Sequence, residues 1–147
     1  MLTLALSSWS FHRRLPYFPG GSQSSRQQGL ELTIHDFPRL ATSFGITDLE
    51  ICQAHLASAD HDYIAGVRSS VEAAGCRVIN VPIDVGNLAE TDSVRRRADT
   101  EQIRLWIDAA YELGSPCVRV NTGPVGTQHE ESILAIVTDG YRHLADY

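Results

Sequence analysis

The sequence predicts an α/β domain of parallel strands joined by helical crossovers, and three observations lead there. Four short β-like runs alternate strictly with four helical patterns, the arrangement a parallel sheet requires. Three of the helical patterns end at a glycine just before a strand, at Gly45, Gly75 and Gly114, where a left-handed residue terminates a helix. Segments leading into strands are two or three residues long, whereas those leaving strands are much longer. In α/β proteins loop length collects on the carboxyl side of strands, where chemistry is done.

The expected strands run from Leu2 to Ser7, Asp48 to Cys52, Arg77 to Ile83 and Cys117 to Asn121. The expected helices lie near 35–44, 62–74, 94–113 and 131–144. Thr33 followed by Asp36 resembles a capping arrangement, and Ile34, Phe37, Leu40, Ala41 and Phe44 then form one apolar stripe. Ser58 or Asp60 is expected to cap the second helix, whose stripe is Tyr63, Ile64, Val67, Val71 and Ala74. The third helix turns Ile103, Trp106, Ile107, Ala110 and Leu113 to one side. Long loops follow the first, third and fourth strands, at 15–29, 85–92 and 122–128. Residues 1–147 read as a single domain with strand order 1-2-3-4, a curved sheet, and all helices on the convex face.

Bulk properties narrow the function. The chain has 147 residues, a formal charge of −6 and twelve arginines with no lysine. Net acidity argues against a nucleic-acid footprint, which needs clustered positive charge. Arg95-Arg96-Arg97 is followed by Asp99 and Glu101 and reads as a solvated helix face. Cys52, Cys76 and Cys117 are widely spaced, which fits buried thiols in a reducing compartment better than disulfides or a zinc site. No apolar run approaches the roughly 18 residues of a membrane helix, and the amino terminus lacks the basic region of a signal peptide. A cytoplasmic protein is expected.

Alternation along each strand sorts candidate site residues. Leu2, Leu4, Leu6, Leu49, Ile51, Val118 and Val120 are expected to meet the helices. Ala5, Ser7, Asp48, Glu50, Cys52, Asn80, Pro82, Cys117, Arg119 and Asn121 then face the opposite side, with Asp84 nearer the loops. Glu50 and Arg119 are expected to approach each other there, as a site pair or simply as neutralising charges. His55 reads as a pocket, loop or capping residue, and Trp9 and Phe11 as a pocket wall or an apolar plug. GxGxxG, P-loop, GxSxG and HExxH motifs are absent.

A family resemblance rests on several stretches in order: Leu6-Ser-Ser-Trp-Ser-Phe-His-Arg, His35-Asp-Phe-Pro-Arg, Phe44-Gly-Ile-Thr-Asp-Leu-Glu-Ile, Trp106-Ile-Asp-Ala-Ala-Tyr-Glu-Leu-Gly and Cys117-Val-Arg-Val-Asn-Thr-Gly. Together they resemble the amino-terminal half of sugar-phosphate isomerase/epimerase proteins with a xylose isomerase-like TIM barrel. The resemblance implies four βα units of a (β/α)₈ barrel and a small carbohydrate or sugar phosphate as ligand. Trp9, Phe11, Glu50, His55, Asn80, Asp84, Arg119 and Asn121 are the expected half of the pocket. The intact family holds a divalent metal (Mn, Mg, Co or Zn) on Glu, Asp, His and Glu at the ends of later strands, where metal and carboxylate move a proton. Those strands do not occur before Tyr147. This chain alone is therefore expected to bind no metal, to be inactive, and to pair with a second copy or with a carboxy-terminal half. The rival readings are a non-catalytic half-barrel for self-association and a relative of endonuclease-IV-like nucleases.

Overall fold

The computed structural model describes residues 4–18, 30–123 and 131–147. Its strands are β1 (Ala5–Ser7), β2 (Asp48–Glu50), β3 (Arg77–Ile83) and β4 (Val118–Val120). Its helices are α1 (Phe37–Ser43), α2 (His61–Ala73), α3 (Ser93–Glu112) and α4 (Glu131–Ala145). The strands form one parallel sheet in the order β1-β2-β3-β4. Short 3-10 turns, Ser8–Phe11 and Gln53–His55, follow β1 and β2 at their carboxyl ends. The expected loop at 85–92 is present; those at 15–29 and 122–128, like Leu2, lie wholly or largely outside the described residues.

Helix boundaries follow local chemistry. The Thr33 N–H and hydroxyl both donate to Asp36 Oδ2, at 2.9 and 2.7 Å, closing the turn ahead of α1. These bonds hold the Asp36 carboxyl below its ordinary pKa. At α2, Asp60 occupies the cap position but its side chain makes no capping bond. Ser58 Oγ accepts from the Asp60 N–H at 3.0 Å instead, so neither residue caps the helix by the expected route. Asp92 caps α3, its Oδ1 accepting from the Val94 and Arg95 N–H groups at 2.8 and 3.1 Å. Gly45, Gly75 and Gly114 all take positive φ at the helix exits.

The face of the sheet carrying Leu49, Ile51, Val81 and Ile83 packs against Phe37, Ala41, Ile64, Val67, Val71, Trp106 and Ala110. A second cluster joins Leu88 and Ala89, from the loop after β3, to Ile103 of α3 and to Ile133 and Val137 of α4. The helices thus cover one face of the sheet. A register shift sets Val78 opposite Leu49 but Asn80 opposite Glu50, so Val78 enters the core while Asn80 meets a polar neighbour. Two expectations need correction. Leu4 is 75% exposed rather than packed against helices, lying just ahead of the outer strand β1, whereas Leu6 within that strand does reach the core. Cys117 is an exposed thiol, since it lies just ahead of the other outer strand, β4, whereas Cys52 and Cys76 are buried.

Candidate functional site

Polar side chains collect on the sheet face opposite the helices, at the carboxyl ends of the strands. A concavity of about 390 Å³ there is lined by Ser7, Trp9, Ser10, Glu50, Cys52, Pro82, Asp84, Arg119 and Asn121. A larger hollow of about 630 Å³ lies at the opposite pole, around the tight helix-to-strand turns Gly45–Thr47 and Gly75–Cys76. Its one charged pair is already closed, with Arg77 Nε and Nη2 donating to the two Asp48 oxygens at 2.7 and 3.1 Å. That bonding raises the Arg77 pKa. The smaller concavity is the candidate site, because its polar groups converge on open space.

Asp84, one residue beyond β3, organises the centre. Its Oδ1 accepts from Arg119 Nη2 at 2.9 Å and from Asn121 Nδ2 at 2.6 Å, and Arg119 Nη1 donates to Asn121 Oδ1. Glu50 Oε2 accepts from Asn80 Nδ2 at 2.8 Å. The expected approach of Glu50 to Arg119 is therefore not made. They lie on β2 and β4, two strand spacings or about 10 Å apart, while Asp84 sits next door to Arg119 and Asn80 next door to Glu50. Both charged residues still line the concavity, so the strand register itself was read correctly. The Asp84–Arg119 pair is partly exposed and hydrogen-bonded, an arrangement that orients a guanidinium without sequestering it.

The turns supply the wall. Ser7 Oγ accepts from the Trp9 N–H at 3.3 Å at the start of the first 3-10 turn. Trp9 is half exposed over the concavity and stacks on His12 and His55, at centroid distances of 5.0 and 5.9 Å. His55 does not line the space itself: it is 1% exposed beneath Trp9, and its Nδ1 lies 2.8 Å from Ser8 Oγ. Burial, with a smaller effect from the charge of His12, lowers its pKa to about 4. Phe11 faces the other way, against Phe37 at 6.1 Å and Phe44 at 6.5 Å, because the 3-10 turn sends alternate aromatics to opposite sides. It belongs to the core side and not to the concavity. Burial also pushes the Cys52 thiol up, outweighing its contacts with Ser8 and Ser7.

Two residues that sequence reasoning did not single out belong to this end of the sheet. Ser8 is fully buried and accepts from the Cys52 N–H at 2.9 Å. Gln53, 1% exposed, accepts from the Asp84 N–H through Oε1 at 3.4 Å. A polar residue directly after the expected second strand is the signal that could have found Gln53; Ser8 is indistinguishable in sequence from Ser7 and Ser10.

No family model and no curated protein matches the chain. Solved structures do. A protein from Sinorhizobium meliloti 1021 superposes with a TM-score of 0.66 at 16% identity, covering 93% of this chain and 43% of its own. A 3-keto-D-glucoside 4-epimerase from E. coli gives 0.61 at 19% identity, over 80% of this chain and 48% of that one. A D-psicose 3-epimerase gives 0.65 at 16% identity, over 79% and 43%. The chain has the fold of the amino-terminal half of a xylose isomerase-like TIM barrel. The half-barrel spans less than half the length of the proteins it matches. Its polar concavity faces what is the interior mouth of the closed barrel, on the side where TIM-barrel sites lie. No helix among the described residues is long and apolar enough to cross a membrane.

Proposed function

We propose that the half-barrel provides the substrate-cradling wall of a sugar or sugar-phosphate isomerase/epimerase. The observation that supports this reading is the convergence of Asp84, Arg119, Asn121 and Glu50 on one concavity beneath a half-exposed indole. A sugar presents hydroxyls that both donate and accept along its edges, and an apolar C–H face. Carboxylate, amide and guanidinium groups answer the first, and an aromatic face answers the second. The structures it resembles include a 3-keto-D-glucoside 4-epimerase and a D-psicose 3-epimerase, both acting on carbohydrates.

The resemblance also implies a divalent metal in the intact barrel. The residues present do not fit one: no group of three His, Cys, Asp or Glu is placed to hold an ion among the described residues. The Asp84 and Glu50 carboxylates are engaged by Arg119, Asn121 and Asn80. These side chains serve to bind and orient the sugar.

Titration of the ¹⁵N-labelled 147-residue chain with D-fructose and with D-fructose 6-phosphate tests the reading. Saturable shifts are expected at the Trp9 indole, the Arg119 guanidinium and the Asn121 side-chain amide. Stronger binding of the phosphate ester would assign Arg119 to the anion. Absence of shifts at all three groups with both sugars overturns the carbohydrate reading.

A further inference from the structure

The 3-10 turns after β1 and β2 are fastened to each other by a buried bond that the pocket wall depends on. Ser8 Oγ lies 2.9 Å from the Cys52 N and 2.8 Å from His55 Nδ1. The Cys52 N–H is only a donor, so the hydroxyl accepts there and has its own proton free for Nδ1. With Nδ1 as the acceptor of that proton, the ring proton sits on Nε2, which is buried and has no hydrogen-bond partner among the described residues. Ser8 and His55 are 0% and 1% exposed, so water does not compete for this bond.

The ring held in this way supports Trp9. The indole lies 5.9 Å from the His55 ring at 25° and 5.0 Å from His12 at 16°, and Tyr17 meets both Trp9 and His55 edge-on at 67°. Trp9 is 48% exposed on a four-residue turn, so its orientation is set by these few ring contacts rather than by a packed core. We propose that Ser8 and His55 are positioning residues for Trp9: the hydroxyl fixes the tautomer and tilt of the imidazole, and the imidazole face fixes the indole that walls the concavity. That the wall receives a sugar rests on the function proposed above; the positioning does not. Protonating His55 would place a second N–H against the Ser8 hydroxyl in a dry site beside His12, Tyr17 and Cys52, which agrees with its low pKa.

Long-range ¹H–¹⁵N spectra of the histidine rings, read beside the two indole signals, test the proposal. Trp106 lies in the core beneath α3 and serves as an internal control for the fold. Wild-type His55 is expected as the neutral Nε2–H tautomer from pH 8 down to pH 6. Ser8→Ala is expected to mix tautomers and to shift or broaden the Trp9 indole while leaving Trp106 in place. Should Ser8→Ala disturb both indoles, His55→Asn decides, since it keeps an acceptor for Ser8 but removes the ring: movement of Trp9 alone supports the proposal. An Nδ1–H tautomer in the wild type, or a Trp9 signal unmoved in both variants, overturns it. Affinity for D-fructose is expected to fall about fivefold in either variant, the worth of one aromatic contact. If the wild type binds no sugar while Trp9 still responds to Ser8→Ala, the carbohydrate reading fails and the positioning stands.

Discussion

His55 shows how a single residue couples acidity to stability in this chain. Its ordinary pKa near 6.5 falls to about 4 in the fold, chiefly through burial. Between those values the unfolded chain binds a proton that the folded chain refuses, so folding stability drops as pH falls through this window and is fully present above it. The loss approaches about 3 kcal/mol at pH 4. Urea midpoints measured from pH 7.5 to 4.5 are expected to fall more steeply for wild type than for His55→Asn. Parallel curves would show that His55 does not titrate in this way. Asp84 makes a gentler case: Asp84→Ala strands Arg119 and Asn121 at a half-exposed surface, at a cost of about 1 kcal/mol. Calorimetry is the check, and a loss above roughly 3 kcal/mol would mean that the cluster acts as buried structure. The facing of Glu50, Arg119 and Asn121 was legible, because alternation along a strand is a geometric necessity. Their partners were not. Alternation says which face a side chain takes, whereas bonding depends on which neighbour is one strand away. Phe11 escaped for the complementary reason, since a 3-10 turn after β1 breaks the period of two.

At the scale of elements, β3 and the three helix ends at glycine were readable because propensity, periodicity and turn chemistry agree there. β1 ends at Ser7 as expected, whereas β2 stops at Glu50, with Ile51 and Cys52 leading into the 3-10 turn at Gln53–His55, and β4 is confined to Val118–Val120. What sequence did not disclose is the second core cluster, which ties a loop to two helices. Gly86 holds this loop against α3. Its φ is +78°, and a Cβ there would come within 2.8 Å of an Ile103 side-chain carbon and 2.9 Å of the Asp99 carbonyl oxygen. Gly86→Ala therefore combines a left-handed backbone with a clash against main chain, and is expected to cost about 2–3 kcal/mol. Leu88→Ala, at a fully buried position between α3 and α4, is expected to cost about 2–5 kcal/mol. Hydrogen exchange separates the two interpretations of that loss: α4 amides are expected to lose protection before those of α1 and α2. Uniform loss over all four helices would show that the two clusters unfold as one.

For the molecule as a whole, the strand order β1-β2-β3-β4 leaves β1 and β4 as outer strands, each with one edge that has no strand partner among the described residues. Outer strands offer unpaired N–H and C=O groups to another chain. On β4, the Cys117 carbonyl accepts from the Val81 N–H, so the main-chain groups of Val118 and Val120 point away from β3. One of them is already occupied, because the Tyr141 hydroxyl donates to the Val120 carbonyl at 2.7 Å. That guard was invisible in sequence, as nothing about a tyrosine late in α4 tells which strand it reaches. A second copy related by a two-fold would set β4 of each chain beside β1 of the other. The pairing stays parallel at both seams, and four strands plus four complete an eight-stranded barrel. The 147-residue chain is therefore expected to self-associate, its polar concavities enclosed together, with Tyr141 swinging off Val120 as the seam forms. Removing the guard with Tyr141→Phe should tighten association about 25-fold, the worth of two hydrogen bonds, one at each seam, that no longer have to break. Light scattering after size exclusion, across a dilution series, measures both chains. A species of twice 16.2 kDa that persists further into dilution in the variant is the expected result. A monodisperse 16.2 kDa species for both proteins would overturn the expected pairing and show that the Tyr141 hydroxyl is not what keeps these edges apart.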